Sequence, residues 1–169
     1  MYGISGTPGT GKSSIAAALE ARGHRVVRAS DTVHEYILGK DPERQTVIID
    51  EEAWAGNFQP VDGFVEGHLV HLLPCDRVII LRCRPDILHA RLMERGYPPG
   101  KVSENTEAEA MDVILVETLE IHPPDHILEV ETTAAPVSSC VEQIELFIRG
   151  EISPSYGRND WSEYLEPRA

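Results

Sequence analysis

Basic residues are scarce in this chain. Fifteen Lys and Arg stand against 28 Asp and Glu, a net charge of −13. From Val102 to Ile148 there is no Lys or Arg at all, while eleven acids fall in that interval. A surface of that sign repels a phosphate backbone, so a broad electropositive nucleic-acid face is excluded. Long hydrophobic runs are missing too. Nothing approaches the roughly 18 consecutive apolar residues that a membrane-spanning helix needs. Cysteine is limited to Cys75, Cys83 and Cys140, odd in number and without a C-x-x-C pair. That argues against a disulfide framework or a zinc site, and for reduced thiols packed inside a cytoplasmic protein. What remains, 169 residues at 41% apolar, suits one domain large enough for a core without staples.

Against these absences one stretch stands out. Gly6-Thr7-Pro8-Gly9-Thr10-Gly11-Lys12-Ser13 reads G-x-x-x-x-G-K-S without a mismatch. Met1 to Ser5 ahead of it is long enough for a short buried strand. Ile15, Ala18 and Leu19 behind it fall at i, i+3, i+4, one apolar helix face. Strand, glycine loop and helix are the context that makes the pattern a phosphate-binding loop. Gly6, Gly9 and Gly11 let successive N–H groups turn inward toward an anion, and the helix N-terminus adds its field. Lys12 is expected to reach the β- and γ-phosphates of a nucleoside triphosphate, and the Ser13 hydroxyl to bind Mg²⁺. With the loop starting at Gly6, no cleavable leader is expected.

The rest of the chain alternates strand and helix signals. His24 to Ala29 reads as a second strand behind the stop at Gly23. Ser30-Asp31 can cap a short helix to about Leu38, followed by a loop at 39–44 and a β-like run, Thr46 to Asp50. Residues 31 to about 56 therefore look like an insertion. Gln59 to Val65 is a weak strand, and Val78-Ile79-Ile80-Leu81 a strand buried on both faces. Pro85 opens a helix that ends at Arg95-Gly96, before a breaker-rich loop at 97–101. A helix restarting at Asn105 or Thr106, with Met111, Ile114, Leu115 and Leu119 on one face, runs to Pro123-Pro124. Ile127 to Val130 is a last strand and Val137 to Ile148 a last helix. In the polar tail, 150–169, Tyr156, Trp161 and Tyr164 offer docking points. This alternation argues an α/β fold with a mostly parallel sheet flanked by helices, its ligand at the carboxyl ends of the strands.

No N-K-x-D base-reading motif is present, which removes a GTPase, and the chain is short for a motor or helicase. Small-molecule kinases remain. They shield the γ-phosphoryl group with mobile flaps, and Arg91 and Arg95 lie one helical turn apart just before the loop at 96–100. Their guanidinium groups are placed to swing onto phosphate oxygens. The alternative for Arg91 is a solvated surface face.

The phosphate loop with Ser14, Glu66-Gly67-His68, and Arg95-Gly96-Tyr97 followed by Lys101 and Glu104-Asn105 resemble the adenylate kinase 6 family. The likeness spans about residues 1–149. It implies an adenylate-kinase-like phosphate-loop fold, with a monophosphate flap at about 31–56 and a lid at about 94–104. It also implies broad nucleoside monophosphate kinase activity, with AMP as acceptor, a side ATPase activity, and a role in late maturation of the small ribosomal subunit. Carried over, Gly9, Gly11, Lys12, Ser13 and Ser14 bind ATP and Arg95 is the lid arginine. Glu66 and His68 match an acidic-x-His element. A carboxylate at a strand end holds a metal-bound water, and a His two residues on orients or deprotonates an attacking water. His68 and His71 share a possible helix face, yet two ligands at i, i+3 do not make a zinc site. Where the family usually presents a monophosphate-gripping arginine this chain has His34, with Arg28 or Arg44 as substitutes.

A second reading stands beside the kinase: a nucleotide-switched assembly ATPase with little true kinase activity. In it the acidic run 102–148 faces a basic protein of the small-subunit platform. The other account of that run is plain solvation.

Overall fold

The apolar runs of the sequence come together as neighbouring strands in the computed structural model, which describes residues 1–42 and 46–165. In chain order the elements are β1 (Tyr2–Ser5), α1 (Lys12–Ala21), β2 (Val26–Arg28), β3 (Ile37–Asp41), β4 (Thr46–Ile49), α2 (Glu51–Asn57), β5 (Phe64–Glu66), β6 (Arg77–Arg82), α3 (Pro85–Glu94), α4 (Pro99–Ala110), α5 (Val113–Ile121), β7 (Ile127–Glu131) and α6 (Val137–Ile148). Five strands form one parallel sheet in the order β2-β5-β1-β6-β7, and β3 and β4 form a separate antiparallel pair. The fold is α/β, a mostly parallel sheet with helices on both faces.

Alternation along β6 explains the layers. Ile79 and Leu81 point into one core with Ile15 and Leu19 of α1 and Val141, Ile144 and Phe147 of α6. Val78 and Ile80 point the other way, against Trp54, Ile114 and Leu115. All four β6 residues are fully buried, as a strand covered on both faces requires. A third cluster, Cys83, Leu88, Leu92 and Val102, packs α3 on α4. The three cysteines are free and buried. No helix is long and apolar enough to cross a membrane among the described residues.

β1 lies between β5 and β6, with Ile4 in register with both Glu66 and Ile79. The carboxyl ends of these strands therefore converge where the loop after β1 begins. Open α/β sheets bind ligands at that edge.

Several sequence expectations change. Residues 30–38 form no single helix. Two separate 3₁₀ turns, Ala29–Asp31 and His34–Tyr36, lead into β3, which pairs with β4. The segment is too short and too poor in apolar periodicity to propagate a helix, whereas the Thr46-Val47-Ile48-Ile49 run offers it a strand partner. The expected loop at 39–44 is thus partly strand. β5 begins only at Phe64, because Gly63 adopts φ 140°.

The largest change lies between 97 and 121. The expected breaker loop is the start of α4, with Pro99 in the first turn, where its missing N–H costs nothing. The break falls at Asp112 instead, with φ 56° the one non-glycine positive φ among the described residues. Its carboxylate accepts from Arg82 Nη2. Aspartate tolerates this conformation, so Met111 and Leu119 do not share a helix. The tail docks: Ser155 bridges to Leu128, and the Trp161 ring lies 4.7 Å from the Arg82 guanidinium.

Candidate active site

The loop after β1 is built by close approach. Gly6 has φ 150°, and a Cβ there would lie 2.7 Å from the Leu81 carbonyl oxygen. Gly9 has φ 93°, and a Cβ there would meet Leu88 Cδ1 at 2.7 Å. Only glycine fits either place. The loop closes on itself as Thr10 N and Thr10 Oγ1 donate to the Thr7 carbonyl at 3.2 and 2.8 Å. Gly11 caps α1 with φ 101°.

Lys12 Nζ donates to the carbonyls of Gly6 and Thr7 at 2.6 and 3.0 Å. Burial lowers its pKa to about 8, while Glu66 and Glu109 favour the charge and Arg95 opposes it. Ser13 and Ser14 stand exposed in the first turn of α1. Glu66 ends β5 and is 8% exposed. Burial raises its pKa, with Lys12 and then Arg28 working against the shift.

The His68 imidazole opens to solvent, with Nδ1 3.4 Å from the Gly6 carbonyl oxygen. Desolvation on its protein side, then the Lys12 charge, lowers its pKa. His71 does not share a face with it. That ring is buried on the 3₁₀ turn Val70–Leu72, with Nδ1 3.0 Å from Ser5 Oγ and Nε2 2.8 Å from Glu117 Oε2. Among the described residues no group of three or more His, Cys, Asp or Glu can hold a metal ion.

Arg95 caps α3 and is exposed. With Gly11, Lys12, Ser13, His68 and Tyr97 it lines a cleft of about 260 Å³. It also lines an adjoining cavity of about 310 Å³ with Ser14, Thr132, Val137 and Cys140. Arg91 is no solvated residue. It donates to the carbonyls of Thr132, Thr133 and Gly9 at 2.9, 3.1 and 3.4 Å, tying α3 to the loop. Thr132 Oγ1 adds a bond to the Thr10 carbonyl at 2.7 Å.

On the far side of Glu66 and His68, β4, Ser30, Trp54 and Glu104 line a space of about 710 Å³. His34 is exposed and is not among the described residues lining it. Arg28 is engaged by Glu20 at 3.1 and 3.3 Å, with Nε 3.9 Å from Glu66. Arg44 lies outside the described residues. The structure thus groups the loop, His68 and Arg95 around one cleft, puts Glu66 with His68 on the adjoining space, and leaves His34 apart from both. Sequence reasoning missed the grip of Arg91 and Thr132 on the loop, and also Glu109, whose buried carboxylate reaches Thr7. Spacing singles out Arg91 but not this grip, and nothing in the spacing of Thr132 or Glu109 marks them.

Residues 3–112 match the protein family described as an AAA domain. A protein of Natronomonas pharaonis named "Putative adenylate kinase" is 42% identical over 168 residues, spanning 96% of this chain and 98% of that protein. One of the same name from Archaeoglobus fulgidus is 41% identical over 172 residues, spanning 99% and 95%. Among solved structures, a gluconokinase from Sinorhizobium meliloti superposes with a TM-score of 0.53 at 17% identity, covering 89% of this chain and 91% of its own. A deoxyadenosine kinase from M. mycoides with bound dATP gives 0.53 at 14%, covering 88% and 98%. At such identities the likeness concerns the fold alone.

Proposed function

The chain belongs to the family of those archaeal proteins, an adenylate-kinase-type branch of the phosphate-loop kinases, and from that premise we propose that it transfers the γ-phosphoryl group of ATP to a nucleoside monophosphate, AMP first. The observation that carries the reading is the cleft shared by Lys12, Ser13, His68 and Arg95 at the strand ends around β1, with Glu66 beside His68 in the adjoining space and its charge felt at Lys12.

The residues present fit Mg²⁺. The Ser13 hydroxyl and the Glu66 carboxylate are hard oxygen donors, and Mg²⁺ at phosphate sites takes few protein ligands, so the missing cage is no objection. Bound there, Mg²⁺ would draw charge from the β- and γ-phosphate oxygens. The chain's own work is positioning and charge. Gly9, Gly11, Ser13 and Ser14 present backbone N–H groups and hydroxyls to the triphosphate. The Lys12 ammonium leaves its two carbonyls for the phosphates, and Arg95 neutralises charge as it develops. In this reading the segment 31–56 closes over the acceptor, 94–104 is the lid, 150–169 is a polar C-terminal tail, and the compartment is the cytoplasm.

Water is the competing acceptor. The lowered pKa of His68 keeps its ring neutral near pH 7 and able to take a proton from water. His68→Ala should cut ATP hydrolysis by about 10²-fold and slow transfer to AMP far less. Equal losses in the two assays would make His68 a structural residue or one that serves a metal site shared by both reactions.

One feature favours the assembly-ATPase reading. Val116, Leu119 and Ile121 are exposed among Glu117 and Glu120 on α5, an acidic and apolar face suited to a basic protein such as the small-subunit platform protein. Titration should give salt-sensitive binding to that protein and negligible affinity for naked ribosomal RNA. Tight binding to the RNA alone would reverse this assignment.

A further inference from the structure

We infer that Glu109 is a positioning residue for the phosphate loop: through the Thr7 hydroxyl it holds the carbonyl on which Lys12 rests, and it joins α4 to that loop. The inference rests on the phosphoryl-transfer reading above for its consequence, but its geometry stands apart from it.

Glu109 lies near the end of α4 and is 3% exposed. A buried carboxylate is costly unless each oxygen is engaged. Here Oε1 accepts from Arg82 Nε at 2.9 Å and from the Cys83 N–H at 3.0 Å. Oε2 accepts from the Thr7 hydroxyl at 2.5 Å. Arg82 and Cys83 belong to β6 and its end, so two bonds moor the carboxylate to the sheet. The third reaches from that mooring into the loop.

Thr7 is well placed to pass the constraint on. It is 2% exposed, and Pro8 behind it restricts its backbone to extended conformations. Its carbonyl is the hub of the loop, accepting from Thr10 N, Thr10 Oγ1 and Lys12 Nζ. Fixing the Thr7 side chain therefore fixes the peptide against which Lys12 is parked. The other outside ties, from Arg91 to Gly9, from Thr132 to Thr10 and from His68 to Gly6, are bonds to carbonyls. The tie to Glu109 is an O–H bond to an ionised carboxylate, a kind about twice as strong as a neutral one. It also attaches the helix that follows Arg95-Gly96-Tyr97, so loop and lid share an anchor.

The test uses the full chain as wild type, Thr7→Val, Thr7→Ser, Glu109→Gln and the double variant Thr7→Val with Glu109→Gln. Backbone hydrogen exchange over residues 6–14 is compared with that over 78–81, beside steady-state transfer from ATP to AMP. Thr7→Val keeps the shape and removes the hydroxyl, so loop exchange should rise about tenfold, the worth of one such bond, with β6 unchanged. Glu109→Gln should raise it by less, since the amide can still pair with the hydroxyl though not as a charged acceptor. The double variant should rise no further than Thr7→Val, since both substitutions act on one interaction. Thr7→Ser should return loop exchange to the wild-type rate, and kcat should fall more than KM for ATP rises in the two loosened variants. Loop exchange unchanged in Thr7→Val, no rescue by serine, or additive effects in the double variant would each overturn the inference. Should the loop loosen as expected while even the wild type transfers nothing to a monophosphate, the proposed function fails and the positioning role stands.

Discussion

Lys12→Ala is expected to yield a folded protein that has lost phosphoryl transfer and, with it, the proposed ATP hydrolysis. The side chain packs no core. Among the described residues its Nζ bonds the carbonyls of Gly6 and Thr7, and its pKa of about 8 reflects an ammonium held in a poorly solvated place. In such a place a fixed positive charge acts on developing phosphate charge with little screening. Removing one such electrostatic contact is typically worth roughly 3–4 kcal/mol, or about 10²–10³ in rate. A urea midpoint near that of the wild type, read beside ADP formation from ATP and AMP, checks both halves. Activity within about threefold of wild type, under about 1 kcal/mol, would remove the phosphate loop from the chemistry.

The second large effect is on stability. Arg82→Met should cost about 3–5 kcal/mol, because Arg82 is the shared cation of a buried acidic cluster. It donates to Glu109 and Glu129, which are 3% and 8% exposed, and to Asp112. Burial alone disfavours its charge, but Glu109 and Glu129 outweigh that, and its pKa is raised. Without it two buried carboxylates lose their counter-ion, and Trp161 loses the cation beneath its ring. Urea denaturation with the exposed pair Arg22–Glu145 as control separates the mechanisms. That surface bond, 2.7 Å with Arg22 40% exposed, is worth at most about 1 kcal/mol. An Arg82→Met loss no larger than that of Arg22→Met would show the cluster carries little. Combining Arg82→Met with Glu109→Gln and Glu129→Gln should recover part of the loss, since the uncompensated charges go with it.

Comparison of sequence and structure separates two kinds of information. The loop from Gly6 to Ser13 was legible because its demands are local. Positive φ at Gly9 and Gly11, a lysine at the helix start and a hydroxyl after it are properties of adjacent residues. The parallel sheet was legible for a similar reason: Val78 to Leu81 is apolar at every position, which only a strand covered on both faces needs. Glu66 and His68 are candidates through their place at the end of a strand and through family resemblance, and Arg95 through its place at a helix end.

The tertiary structure decided the rest. Glu109 sits in a run of eleven acids and reads like any solvated helix carboxylate. It is buried because Arg82, 27 positions earlier, and Thr7, 102 positions earlier, meet there. The same arginine holds Asp112 in its left-handed turn, so the boundary between α4 and α5 depends on a strand distant in the chain. β3 likewise exists because β4 pairs with it, against the weak local preference for a helix at 31–38. Local backbone chemistry is written in neighbouring residues and can be read from them. A buried charge is set by the partners that offset its desolvation, and only the folded chain brings those together.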